Sequence, residues 1–304
     1  MGLFIVKRLG VTLLVIVVTS VISFSLIHLA GDPAVAMAGE RATPEQIETI
    51  RRLYGFDRPF HEQYLHWIGN VMEGNLGRSS YLKEDVAPIL ARHLPVTAQL
   101  GILALAFALI LSIPLGVVAA LRPNSLIDRA ALVTAVLGQS MPSFLSSLAL
   151  IFLFGVMLRW LPISGTGSLA AYVLPAIALG YYASPAIMRL TRSGMIEVLQ
   201  SDHMRTGRAY GLSSWQMIIR HGLRHAIVPV VSVATVQFGY MLGGSVVVEA
   251  VFSMDGIGNL AWLSIRRYDV EVIQAILLVV AATYALLALA ADLLNAMLDP
   301  RIRV

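Results

Sequence analysis

Six long stretches of this chain contain no Asp, Glu, Lys or Arg: residues 9–31, 94–121, 130–158, 160–188, 225–248 and 272–291. A helix that crosses the hydrocarbon of a bilayer needs about 20 apolar residues. Each charge at its centre costs roughly 2.5–3.5 kcal/mol on an insertion scale. The six runs therefore read as six membrane-spanning helices. The fourth opens with the turn-rich piece Leu161-Pro162-Ile163-Ser164-Gly165-Thr166-Gly167, which places its spanning part at 170–188. Pro114, Pro142, Pro175 and Pro185 fall inside runs, and membrane helices tolerate such prolines. Composition agrees. Only 13% of the residues are charged, against about 25% in a soluble domain. Mean hydropathy is +0.76. Disorder, a coiled coil and a nucleic-acid-binding domain are excluded as readings of the whole chain. With no Cys, disulfides, thiolate metal sites and a Cys nucleophile are excluded too.

The first run follows Lys7-Arg8, as the apolar core of a signal peptide would. It is longer than such a core, and no small-x-small site clearly ends it, so it is expected to be a retained span. An even number of spans puts both termini on one side. That side would carry Lys7, Arg8, Arg122, Arg129, Arg189, Arg192, Arg205, Arg208, Arg220, Arg224, Arg301 and Arg303, twelve of the 22 basic residues. The short loops opposite carry Arg159, Arg266 and Arg267. Basic residues collect in short cytoplasmic loops, so both termini are expected in the cytoplasm.

Two hydrophilic segments interrupt the apolar pattern. Residues 32–92, between spans one and two, hold 16 of the 40 charges. Thr43-Pro44-Glu45-Gln46 starts a helix there, with Thr43 as N-cap, Pro44 in the first position and Gln46 closing a capping box. Gly55 would stop that helix. Pro59 opens another, on which Phe60, Tyr64, Trp67, Ile68 and Val71 share one face, and Gly74 ends it. The segment reads as a folded external cap whose aromatic face meets the lipid interface or a partner.

Residues 189–224, between spans four and five, hold six Arg and two acids. Gly207 and Gly211 lie four apart, and two glycines inside a helix cost about 1 kcal/mol each. The cost is removed if Gly211 ends the helix in a left-handed cap. Ser213 then caps a second helix, with Gln216 completing a capping box, and Leu212 and Met217 form a hydrophobic staple. The product is a helical elbow under the membrane, a surface for another protein, with Gly207 allowing close approach. Binding of anionic lipid by the Arg residues and a plain connector are the alternatives.

The elbow resembles the EAA loop of ABC-importer permeases, in particular the first permease of the dipeptide, oligopeptide and nickel importer family. Those proteins read R-T-A-R-A-K-G-L and then R-H-A-L-R-N-A-L-I-P. This chain reads R-T-G-R-A-Y-G-L from Arg205 to Leu212 and R-H-G-L-R-H-A-I-V-P from Arg220 to Pro229. The resemblance extends along the chain. Gly31-Asp32-Pro33-Ala34 is similar to G-D-P-A, Tyr54-Gly55-Phe56-Asp57-Arg58-Pro59 to L-G-L-D-R-P, and Gly74-Asn75-Leu76-Gly77-Arg78-Ser79 to G-D-L-G-R-S. Met141-Pro142-Ser143-Phe144 is similar to L-P-S-F, Val246-Val247-Val248-Glu249 to V-V-V-E, and Leu298-Asp299-Pro300-Arg301 to L-D-P-R. Three departures stand out: Gly207 in place of Ala, Met254-Asp255 in place of Trp-Pro, and Arg224 where other EAA loops carry Pro.

The resemblance implies an all-α, six-span, type I ABC-importer permease in the bacterial inner membrane. Its parts would be an N-terminal span (1–30), a periplasmic helical cap (31–93), a five-span core (94–298) with a cytoplasmic coupling loop (193–224), and a cytoplasmic tail (299–304). The implied partners are a second homologous permease, two cytoplasmic ABC ATPases that dock on the elbow (201–221), and a periplasmic binding protein that delivers a di- or oligopeptide. A nickel complex or glutathione is the alternative cargo. Arg205, Thr206, Gly207, Ala209, Gly211, Leu212, Arg220 and His221 would form the ATPase-coupling interface. ATP and Mg would sit on the partner subunits, with no cofactor on this chain. The residues agree, because the two lysines, Lys7 and Lys83, follow no Gly-rich loop and there is no P-loop. The resemblance thus implies a transport subunit without an ATPase site of its own, not an enzyme.

Two other classes compete. A lone channel or secondary carrier places ionisable residues inside its spans. Here Asp292 and Glu249 stand near the two ends of spans six and five. A membrane enzyme would need a catalytic cluster. His221 and His225 are four apart but lack the acid of H-E-x-x-H, His61 and His66 are off the helical spacing, and no G-x-S-x-G occurs. For the pathway, span five offers Ser232, Thr235, Gln237, Gly239, Gly243, Gly244 and Ser245. Gly239 and Gly243 have the spacing of a packing face. Gln237, Ser245 and Glu249 are the pathway candidates.

Overall fold

The computed structural model describes residues 2–39 and 42–298. Asp299, Pro300 and Arg301, and with them the tail 299–304, lie outside the described residues. Helices make up the fold, and no strand occurs among the described residues. Helix α1 (Gly2–Ala30) leads into the cap helices α2 (Pro33–Ala38), α3 (Pro44–Leu53) and α4 (Phe60–Met72). Then come α5 (Val86–Leu121), α6 (Leu126–Ser140) and α7 (Ser143–Leu150), the last running on as a π-helix to Met157. A short 3₁₀ turn (Leu169–Tyr172) precedes α8 (Val173–Leu199). The elbow holds α9 (Asp202–Ala209), α10 (Ser214–Gln216), a π-helix (Met217–Leu223) and α11 (Arg224–Ala226). The chain ends in α12 (Val228–Val251), α13 (Ile257–Arg266) and α14 (Val270–Leu298).

Four helical stretches are long and apolar enough to cross a membrane: Ile5–Ser25, Val86–Leu121, Leu169–Leu199 and Val270–Ala296. Two bent pairs bring the number to six if each is one span. One of them corrects the reading of run 130–158 as a continuous helix: α6 and α7 meet at 104°. The break lies at Met141-Pro142, where Met141 takes an extended ψ of 126°. A residue before proline is pushed out of the helical region. The other pair bends by 55° between Ala226 and Val228, beside Pro229, which offers no N–H to the preceding turn.

The tightest helix contact joins α5 to α8. A Cβ on Gly180 would lie 2.3 Å from the Ala104 carbonyl oxygen, and one on Gly116 would lie 2.8 Å from that of Met188. Ser112 donates to the Ser184 carbonyl across the contact at 2.9 Å. Leu100, Ala104, Ala108, Leu179, Ala183 and Ile187 fill it. Lipid is as apolar as these side chains, so close backbone approach, and the dispersion it allows, drives the pairing.

The two ends of the molecule differ. At one end Arg8 of α1 pairs with Asp292 of α14 at 2.7 Å. There, too, Asp128 of α6, only 2% exposed, takes both oxygens to Arg192 of α8 at 2.6 Å. This is the elbow side. At the other end lies the cap. Asp32 caps α2, accepting from the Ala34 N–H at 3.0 Å, and pairs with Arg51 of α3. That hydrogen bond raises the Arg51 pKa further above its ordinary value. The Thr43–Gln46 capping box forms. Gly55 and Gly74 stop α3 and α4 with left-handed φ of 69° and 84°. In each case the following N–H reaches back to close a Schellman motif, Phe56 to Arg51 at 2.8 Å and Asn75 to Asn70 at 2.9 Å. The aromatic face of α4 is used inside the chain. Phe60, Tyr64 and Trp67 surround Phe24 of α1 at ring distances of 5.3, 5.6 and 5.4 Å. The Tyr64 hydroxyl meets that of Ser20 at 2.8 Å.

Candidate coupling elbow and membrane cavity

Helix α8 carries on past the apolar run to Leu199, and α9 begins after Ser201. Gly211 has φ +77° and stands just beyond the end of α9. The Leu212 N–H reaches the Gly207 carbonyl at 3.3 Å, and the Gly211 N–H reaches that of Arg208 at 3.0 Å. This is a complete Schellman motif. Ser213 then accepts from the Gln216 N–H at 3.3 Å, and Gln216 accepts from the Ser213 N–H at 3.2 Å. The elbow is thus capped on both arms.

Its inner side is buried. Met204 of α9, Met217 of the π-helix and Met195 of α8 are all nearly inaccessible. A Cβ on Gly207 would meet the Met217 sulfur at 2.6 Å and Leu212 Cδ1 at 3.5 Å. The space beside Gly207 is therefore filled by the elbow's own staple, not left for a partner. Gly222 gives way similarly to Met195 at 3.2 Å. The His203 ring rests edge-on against His225 at 5.3 Å, linking α9 to α11.

The outer side faces solvent. Arg205, Thr206, Ala209, Gly211, Leu212 and Arg220 are exposed, while Gly207 and His221 are half-buried. Thr206 bonds back to the Asp202 carbonyl at 3.0 Å. Two aromatics not singled out from the sequence flank the turn, Tyr210 at 83% and Trp215 at 71% exposed. Their position, either side of a predicted glycine stop, is the signal that could have marked them. Large exposed aromatics beside arginines have the composition of an interface anchor.

A second feature lies among the spans. A cavity of about 940 Å³ is walled by α1, the α6–α7 break, α8, α12 and α14. Its polar lining is Thr19, Ser23, Gln139, Ser143, Tyr182, Gln237, Tyr240 and Tyr284, without a charged side chain. Ser23, 3% exposed, has no hydrogen-bond partner for its hydroxyl among the described residues. Gln237 lines the cavity; Ser245 and Glu249 do not. Ser245 is buried and bonds to the Leu242 carbonyl at 3.1 Å. Glu249 is fully buried and bonded to Thr97 and to the Asn259 N–H at 2.8 and 2.9 Å. The two glycines of α12 also part company. A Cβ on Gly239 would strike the Tyr284 ring at 2.4 Å, whereas Gly243 faces open space.

Comparison with known families matches two models. Residues 1–101 match the N-terminal part of binding-protein-dependent transport system membrane components, and residues 112–304 match the binding-protein-dependent transport system inner membrane component. The chain belongs to this family. It is an ABC-importer inner-membrane permease of the peptide and oligopeptide type. The chain is 38% identical over 301 residues to the glutathione transport system permease protein GsiC of Escherichia coli K12, covering 99% of this chain and 98% of that one. It is 36% identical over 312 residues, the full length of both, to the probable peptide ABC transporter permease y4tP of Sinorhizobium fredii. Among solved structures, the inward-facing MetNI methionine ABC transporter shares the fold. The TM-score is 0.59 at 21% identity, over 69% of this chain and 96% of the other. The all-α, multi-pass permease fold and the membrane location follow from these findings and the apolar helices. Permeases of this family have no ATPase site of their own.

Proposed function

We propose that this permease imports small peptides across the bacterial inner membrane, with ATP hydrolysed on separate subunits that dock on the 201–221 elbow. The observation that carries the reading is the elbow itself. Its inner side is keyed to α8 by buried methionines, and its outer side offers Tyr210, Trp215 and a set of arginines. A push on that outer side moves α8 and α12 rather than a loose loop. Arg205, Thr206, Gly207, Ala209, Gly211, Leu212, Arg220 and His221 form the coupling interface. Gly207 takes part by seating the staple.

In this reading the chain keeps the expected parts: span, cap, five-span core with its coupling loop, and tail. The cap faces the periplasm, where a binding protein delivers substrate, and both termini face the cytoplasm. A second permease completes the pathway, of which the neutral cavity with Gln237 is one wall. Ser245 and Glu249 are buried and do not line that cavity. An uncharged lining of hydroxyls and amides suits zwitterionic peptides of varied side chain, because it offers hydrogen bonds without selecting a net charge. Glutathione, itself a tripeptide, is the second reading, favoured by the GsiC relatives.

The test is a pull-down of the chain in mild detergent, with mass spectrometry of what accompanies it. The expected result is a second permease of similar size together with one or two P-loop ATPases. Recovery of the chain alone, stable and without an ATPase, would contradict the importer reading and favour a self-sufficient carrier.

A further inference from the structure

Helix α13 joins spans five and six on the cap side, and a buried carboxylate holds it at each end. At its start stands Glu249, fully buried at the end of α12. Both of its oxygens are taken by neutral donors. The Thr97 hydroxyl of α5 donates to one at 2.8 Å, and the Asn259 N–H, in the first turn of α13, donates to the other at 2.9 Å. Thr97 in turn accepts from the Ile257 N–H at 2.8 Å. The fit is close. A Cβ on Gly256 or Gly258 would lie 2.4 or 2.9 Å from a Glu249 carboxylate oxygen. The N–H groups of a helix's first turn have no partner within the helix, and a carboxyl group there supplies one.

At the other end stands Asp269, 2% exposed. It accepts from the Ser79 hydroxyl and from the N–H groups of Ser80 and Tyr81 at 3.2 and 3.4 Å. These donors belong to the loop that closes the cap. Between α5, α13 and α14 a cluster of Val86, Ile89, Leu260, Val272 and Ile276 fills the interior. The backbone is strained on both sides of α13. Ser253 and Tyr268, neither of them glycine, have φ of +50° and +53°. Such residues persist where their surroundings over-determine them, and they gather at parts that act.

We propose that Glu249, acting through Thr97 and the first turn of α13, is a positioning residue. With Asp269 it makes the cap, α13 and the cap-side ends of spans two, five and six one body that moves as a unit during transport. What presses on the cap then shifts the mouth of the pathway. This inference rests on the importer reading above.

The chain has no cysteine, so spin labels can be placed by Arg52→Cys in the cap and Trp262→Cys on α13. Their separation is measured in the assembled transporter, nucleotide-free and after trapping with ATP and vanadate. Uptake of radiolabelled glutathione and of a dipeptide mixture is measured alongside basal ATP hydrolysis. The separation should be narrow and unchanged by trapping. Thr97→Val and Glu249→Gln should each broaden it and lower uptake about tenfold, with basal hydrolysis kept within about twofold, and Thr97→Ser should behave as the parent. A separation that changes on trapping in the parent overturns the proposal. So does normal uptake in Thr97→Val, or hydrolysis that falls in step with uptake and protein yield in both variants, which is the mark of a merely structural role. Failure of the importer reading shows separately, as a parent preparation without vanadate-sensitive hydrolysis. The nucleotide-free separations of Thr97→Val and Thr97→Ser still decide the inference in that case.

Discussion

At the scale of single residues, Gly211 carries the elbow. Its φ of +77° is open to glycine and costs other residues about 1–2 kcal/mol, more if β-branched. No atom lies within 4 Å of where its Cβ would be, so the penalty is conformational, not steric. Gly211→Val should abolish ATP-coupled uptake while the protein still inserts in the membrane. Gly211→Asn, which tolerates the left-handed region, should keep most uptake. Substrate accumulation and an immunoblot of the membrane fraction check the pair, and normal uptake in the valine variant would remove Gly211 from the coupling role. This glycine was legible because a stop, a cap and a capping box follow each other within six residues. Gly207 was not. Whether a helical glycine faces a partner or a neighbour depends on where one methionine, Met217, places its sulfur, and no local pattern encodes that.

At the scale of elements, the spans were legible because the bilayer penalises charge so heavily that its signal survives in composition alone. The break between α6 and α7 was less so. Proline is tolerated within membrane helices, and it is the extended Met141 before it that turns the chain through 104°. The surroundings of Glu249 were less legible for a related reason. A carboxylate near the end of a span suggests a pathway, but the groups it bonds, Thr97 and Asn259, lie 152 and 10 residues away. The packing of α5 on α8 gives a prediction at this scale. Gly180→Val forces a side chain onto the Ala104 backbone, and overpacking of this kind costs about 1–3 kcal/mol or more. Gly243→Ala, in open space, should cost little. Thermal unfolding in detergent should separate the two, with a lowered midpoint for the first and a near-parental one for the second. Equal midpoints would mean that the α5–α8 contact is not the tight one.

At the scale of the whole molecule, the chain leaves three kinds of surface uncovered. Helix α1 packs along α14 and leaves most of its apolar surface exposed, to be covered by lipid or a second permease. The cavity is lined in part by the same helices, and the elbow presents two aromatics to solvent. In the assembly proposed above, these surfaces meet bilayer, sister subunit and ATPase. The most direct measurement concerns the third. The protein contains no native thiol, so Trp215→Cys on the elbow and Trp262→Cys on the cap side each introduce a single one. A thiol-to-amine cross-linker is then applied in membranes that retain uptake. Trp215→Cys should yield an adduct with a P-loop ATPase and Trp262→Cys should not. If Trp215→Cys joins no ATPase while uptake persists, the elbow is not where ATP hydrolysis reaches this chain.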